Sequence, residues 1–156
     1  MLLACLAVAG GVLAVGSHRD RERYAERITE QERYGDVLAV SRDFAEALMN
    51  RDYREFDSWT SGVEALSTGT FLEQFEADAD RAQAQSEQLQ EVRIGEVQSA
   101  AVSSVDPDSA VVLVATTGTT TRSAPSDQEV QANYRFLLTL ALVDGDWRVS
   151  NSEPVG

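Results

Sequence analysis

Few residues in this chain have the chemistry of a catalyst. There is one histidine, His18, and one cysteine, Cys5. A Ser/His/Asp relay needs an imidazole to take the serine proton, and the sole imidazole stands in a run of charges directly after an apolar segment. A lone histidine in that setting reads as a solvated side chain, because metal sites need convergent partners. Cys5 follows Leu2-Leu3-Ala4, loosely a lipoprotein cleavage box. Such a box closes an apolar stretch, whereas here eleven residues of it follow the cysteine, so Cys5 reads as a small apolar side chain. One cysteine permits no internal disulfide. The paired acids Asp78 and Asp80 fall on the solvated face of an expected helix, and Arg135 alternates with core residues and so points to solvent. Tyr53, Phe56 and Trp59 share a connector; they could line a ligand pocket, but pinning the connector to the core is the expectation. There is no Gly-rich phosphate loop, no metal-ligand spacing and no Cys/His pair. No catalytic, cofactor-binding or metal-binding residue is assigned, and the expectation is a protein that is not an enzyme and carries no cofactor.

What the sequence organises well is a core. Over Asn133–Ser150, NYRFLLTLALVDGDWRVS, the residues Tyr134, Phe136, Leu138, Leu140 and Leu142 share one strand face by period-two alternation. Asp144-Gly145 suits the positive φ angles of a two-residue type I′ hairpin. With that turn Val143 faces Asp146, Leu142 faces Trp147, Leu140 faces Val149 and Leu138 faces Asn151. A one-residue slip would place Arg148 among the leucines.

The 156 residues suffice for one domain with a core. They carry 26 acids and 13 basic residues, all of the latter arginine, as a G+C-rich coding sequence would give. Five arginines balance five acids up to Arg33, so the whole net charge of −13 falls after it. A domain that acidic repels phosphate backbones, which excludes nucleic acid as the expected partner.

Met1 to Gly16, MLLACLAVAGGVLAVG, is uncharged. As a helix it reaches roughly 24 Å, at about 1.5 Å per residue, against a hydrocarbon core of about 30 Å. A cleaved signal peptide fits the length and the Ala14-Val15-Gly16 ending but lacks a basic start. An uncleaved anchor truncated at its beginning accounts for both defects and is the expectation. The arginines after it would place that side in the cytoplasm, yet they interleave with acids. Residues 17–34 read as a charged stalk with Arg/Glu pairs at i, i+3.

From Gly35 to Gly156 the pattern is an α+β domain. Val37, Val40, Ser41, Phe44, Ala45 and Leu48 step along one face of a first helix. Arg51 to Leu66 reads as a loop. Thr70-Phe71-Leu72-Glu73 is a capping-box pattern opening a second helix, with Phe71, Phe75, Ala79 and Ala82 inward. Period two then takes over: Val92 to Val105 with Gly95 marking a bulge, a turn at Asp106-Pro107-Asp108-Ser109, the central strand from Ala110, and the hairpin. The expectation is two helices on one face of a curved, four-stranded antiparallel meander.

In order and spacing these parts resemble a family. Asp52-Tyr53 follows the first helix, Ser67-Thr68-Gly69-Thr70-Phe71 opens the second, and Val143-Asp144-Gly145-Asp146-Trp147-Arg148-Val149-Ser150 closes the sheet. Together with the anchor and the acidic, lysine-free composition, this is similar to the Mce-associated membrane proteins of high-G+C Gram-positive bacteria. A closing D-G-x-W-x-V hairpin also resembles those of nuclear transport factor 2-like cones and type IV secretion scaffolds. The resemblance implies a single-pass membrane protein with its C-terminal domain outside the cytoplasm. It would be a non-catalytic accessory subunit partnering Mce transporter subunits in lipid or sterol import. The alternatives are an assembly factor of a secretion-type membrane complex, or a cone domain holding an apolar, lipid-like ligand.

Overall fold

The computed structural model describes residues 29–155. The chain divides into two compact units at Gly35/Asp36, and the fold below is that of the second. The expected anchor, residues 1–16, lies outside the described residues, as do Cys5 and His18; of the charged stretch 17–34, residues 29–34 are described and helical. Among the described residues no helix is long and apolar enough to cross a membrane.

The first helix, α1, covers 29–49. Within the folded unit it buries Val37, Ser41, Phe44, Ala45 and Met49, while Val40 and Leu48 of the expected stripe are partly buried against that core. The Ser41 hydroxyl donates to the Val37 carbonyl at 2.7 Å, which lets a polar residue sit in that stripe. Arg51 to Leu66 is not a loop. It holds a two-residue strand β1 (Arg51–Asp52), a 3-10 turn (Tyr53–Glu55) and a helix α2 (Phe56–Ala65). Phe56, Trp59 and Val63, at i, i+3 and i+7, form its inward side. Ser58, Thr60, Ser61 and Gly62 between them are weak helix formers, which hides the period. The aromatics do pin this segment down. Trp59 donates its indole N–H to the Ala47 carbonyl at 2.9 Å. Its ring centroid lies 5.0 Å from that of Phe56 and 5.2 Å from that of Phe75. Phe71 continues the contact to Phe44 at 4.9 Å.

The long helix α3 (Gly69–Leu89) begins earlier than its capping box. Thr68 occupies the cap position with no side-chain cap bond. Its backbone N–H is instead taken by the Val149 carbonyl at 2.9 Å, so a tertiary bond to the sheet, not local capping, sets the start.

The sheet has five strands rather than four, ordered β1-β2-β3-β4-β5 and antiparallel throughout. β2 is Glu91–Val105, β3 Ser109–Arg122, β4 Gln128–Val143 and β5 Asp146–Pro154. β1 adds itself to the β2 edge, with Arg51 opposite Arg93 and Asp52 opposite Val92. The closing hairpin forms as the pattern requires: Asp144 and Gly145 both have positive φ, 53° and 93°, and Leu142 faces Trp147 while Leu140 faces Val149. Beyond that a register shift intervenes, so Leu138 faces Ser152 and Asn151 lies opposite Thr139. Two further shifts interrupt β2, between Val97 and Ser99 and between Val102 and Ser104. Gly95, expected to mark a bulge, instead pairs regularly with Gly118. These two glycines make room for Met49: a Cβ on Gly95 would lie 2.9 Å from the Met49 Cβ, and one on Gly118 2.7 Å from its Cε.

The inner sheet face meets the helices. Val112, Val114, Leu138, Leu140 and Val149 are fully buried and Trp147 nearly so, packed with Val37, Phe44 and Val63. Full burial of a leucine or valine side chain is worth about 1.5–3 kcal/mol. Leu142, expected in the same row, is 38% exposed because it stands at the hairpin's end.

Candidate functional site

The inner row of β3 changes character along its length. Ala110, Val112 and Val114 are followed in the same phase by Thr116, Gly118, Thr120 and Arg122. At that polar end stands Glu91, the first residue of β2, with its side chain only 5% exposed. Opposite it in register is Arg122, whose Nε donates to Glu91 Oε2 at 2.7 Å. Arg51, on β1, donates through Nη2 to Glu91 Oε1. Arg51 and Arg93 face each other across the β1–β2 pair. Like charges so placed repel, and the carboxylate between them offsets the repulsion. Burial alone would raise the Glu91 carboxyl; the hydrogen bonds from Arg122 and Arg51, with the charge of Arg93, outweigh it and hold it below its ordinary value of 4.5.

Arg93 receives least from this arrangement. Its Nη2 is 3.6 Å from Glu91 Oε1 and its Nε 3.4 Å from the Thr120 hydroxyl, both at the long limit for such contacts. Burial, then the neighbouring Arg51, lower its pKa, with Arg122 adding to the effect against the pull of Glu91.

Arg51 and Arg93 also line a groove of about 520 Å³ along the β1–β2 edge. Its other walls include Ala47 and Asn50 at the end of α1, Ser58, Trp59 and Gly62 on α2, and Val92 and Ile94 on β2. Asn50 completes the edge where β1 stops, because its side-chain amide donates to the Gly95 carbonyl at 2.9 Å and accepts from the Gly95 N–H at 3.1 Å. The Arg51 guanidinium lies 5.2 Å from the Trp59 ring centroid. Two acids line the groove, Asp52 and Glu55. Asp52 is occupied: the Arg54 Nε donates to its Oδ1 at 2.9 Å, the Arg54 backbone N–H also reaches Oδ1 at 2.9 Å, and these bonds hold its pKa down at about 2.

The residues weighed in the sequence fall elsewhere. Asp78 and Asp80 are exposed on α3, where Asp78 pairs with Arg81 at 2.7 Å. Arg135 is exposed on the outer sheet face, opposite Ala115. Of the three connector aromatics, Trp59 reaches the groove. Glu91, Arg51, Arg93 and Arg122 were not singled out. Their signal is one of phase, since Glu91 and Arg93 share the strand face of the inward Val97, and Arg122 that of Val112 and Val114. Among the described residues no three or more His, Cys, Asp or Glu side chains gather as a metal site would require.

A family model described as "Uncharacterized protein Rv1363c/MT1408-like" matches residues 1–156. The chain belongs to the Rv1363c/MT1408-like family. No curated protein gives a significant sequence match. Among solved structures, the chain is similar to a periplasmic fragment of TraM, at 9% identity and a TM-score of 0.62, covering 77% of this chain and 95% of that one. It is similar also to an IcmL-like type IV secretion system protein from Legionella pneumophila, at 10% identity and a TM-score of 0.60, covering 78% and 93%. An Ntf2-like protein involved in plasmid conjugation matches at 9% identity and a TM-score of 0.52, covering 77% of this chain and 48% of that one. At such identities the likeness is one of fold, an NTF2-like arrangement of helices on a curved antiparallel sheet.

Proposed function

We propose that this family member is a non-catalytic accessory subunit of a membrane complex in the cell envelope. Its domain from Gly35 to Gly156 lies outside the cytoplasmic membrane, tethered by the apolar segment Leu2–Gly16. The observation that carries the reading is the division of labour between the two faces of the sheet. One face is closed by helices. The other carries the row Ala101, Leu113 and Leu137, in register across β2, β3 and β4, with Ala101 exposed, Leu113 40% exposed and Leu137 half-buried. An apolar row of this kind on an acidic, well-solvated domain suits a protein partner.

The complex we assign is an Mce-type importer of lipids or sterols. The order of the Asp52-Tyr53 pair, the Ser67–Phe71 helix start and the Asp144–Val149 hairpin supports this, as does the lysine-free, acidic composition. A second reading, an assembly factor of a secretion-type complex, is favoured by the fold shared with the TraM fragment and the IcmL-like protein.

A photo-crosslinking residue in place of Leu113, in the full chain in its native host, separates the readings. Crosslinks to Mce subunits or their permease support the first, and crosslinks to secretion-channel components support the second. A chain that crosslinks to nothing at normal abundance contradicts both. Alkaline phosphatase fused after Gly156 is expected to be active; a silent phosphatase places the domain in the cytoplasm and contradicts the topology.

A further inference from the structure

We propose that the groove along the β1–β2 edge is a binding site for a small carboxylate with an apolar body, its anionic end on Arg93 and its apolar part against Trp59 and Ile94. The inference goes beyond the accessory role and holds whichever complex the chain serves.

The charge inventory of the groove points to an anion at one place. Three guanidinium groups and two carboxylates line it. Arg54 and Asp52 satisfy each other. Arg51 is engaged by Glu91 behind the wall, and its Nε is buried without a hydrogen-bond partner. Glu91 has both oxygens taken, one by Arg51 and the other by Arg122. Arg93 is therefore the cation left with only two long contacts, although its side chain is three-quarters buried. A guanidinium held only by these long contacts gains from a closer partner, and its planar fork matches a carboxylate with two parallel bonds. The remaining acid, Glu55, belongs to the 3-10 turn and makes no ion pair with Arg93, so it opposes an anion without neutralising that cation.

The rest of the lining fits an apolar body. Ile94, 68% exposed, lies on the groove next to Arg93. Trp59, Ala47 and Val92 add apolar surface. A volume of about 520 Å³ lies within the range of small-ligand sites, roughly 300–1,000 Å³.

The test uses the full chain in a nonionic detergent, with its indole N–H and isoleucine methyl groups followed by NMR. Trp59 and Ile94 report on the groove, and Trp147, buried in the closing hairpin, is the internal control. Hexanoate is expected to shift Trp59 and Ile94 saturably, with Kd about 0.1–1 mM for so few heavy atoms, and to leave Trp147 in place. Hexanamide, of the same shape without the charge, is expected to bind about tenfold more weakly, and acetate and inorganic phosphate not at all. Arg93→Gln should weaken hexanoate about tenfold and leave hexanamide unchanged. Glu55→Gln should tighten hexanoate about twofold. An unshifted Trp147 in both variants shows that the fold is retained. Equal affinity for hexanoate and hexanamide overturns the proposal, as does hexanoate binding that ignores Arg93→Gln. Phosphate binding as tight as hexanoate would make this a bare anion site and overturn the ligand class. A groove that takes an acidic peptide but not hexanoate would make it a protein contact and overturn the proposal as well.

Discussion

The two ends of β3 solve one problem with different chemistry. Ala110, Val112 and Val114 close the inner face against leucines, valines and Trp147, so that end is held by burial alone. Further along the same strand phase, Thr120 and Arg122 stand beside Glu91, Arg51 and Arg93, and that end is held by ion pairs. Met49 on its glycine pair marks the changeover. Burial is insensitive to pH and tolerates no cavity. A buried carboxylate among three cations depends on its own ionisation and fails when it is removed. The apolar end is thus stable at any pH, whereas the charged end depends on Glu91 and opens on a groove lined by Arg93, a cation held only by long contacts.

The comparison breaks most sharply at Trp147. Trp147→Ala should destabilise the domain by about 3–5 kcal/mol, read as a lower denaturation midpoint; an unchanged midpoint would mean the hairpin contributes nothing to the core. Glu91→Gln, at the other end, should cost about 3 kcal/mol at neutral pH by leaving three guanidinium groups together. The sign of its pH dependence follows from the lowered pKa. Stability supplied by Glu91 is fully present above 4.5, its unfolded value, and is lost as pH falls through its lower folded value. Wild type should therefore lose stability below pH 4.5 by a component that Glu91→Gln lacks; parallel pH profiles would remove the carboxylate from the account.

At the changeover, Gly95→Ala should cost about 1–3 kcal/mol, because the new methyl meets the Met49 Cβ and the Thr117 carbonyl. Gly118→Ala meets mainly the movable Met49 Cε and should cost less. Equal costs in thermal melts would mean that Met49 does not sit on the pair as described. Smallest, and of opposite sign, is Thr116→Val. The Thr116 hydroxyl is buried with no partner, so its removal should stabilise by about 1 kcal/mol. A destabilised variant would show that the hydroxyl has a partner after all.

The apolar end was the legible one. Alternation and Asp144-Gly145 specify the hairpin register as far as Leu140 and Val149, because Leu140, Leu142, Trp147 and Val149 fall in one phase and the charged Asp146 and Arg148 in the other. That register fails by one residue from Thr139 on, where the shift at Ser150 has no sequence mark. The same holds in β2, whose two shifts fall at Gln98 and Ser103 while Gly95 lies in regular pairing. Helix α2 was hidden by weak helix formers around Phe56, Trp59 and Val63, and its stability comes from the contacts of Trp59 with Ala47 and Phe75. The groove was illegible for a different reason. Its cations are drawn from β1, the 3-10 turn and β2, and only a five-stranded sheet brings Arg51 to Arg93. No local pattern foretells a two-residue strand.

The most direct measurement is amide hydrogen exchange on the folded domain, followed as pH is lowered from neutral through the ordinary glutamate range and below it. Acidification should strip protection from the amides of Thr116–Arg122 and Glu91–Arg93 as Glu91 takes up a proton. Val112, Val114, Leu138 and Leu140 should stay protected. Loss of protection at both ends together, or at neither, would contradict a sheet held by burial at one end and by charge at the other.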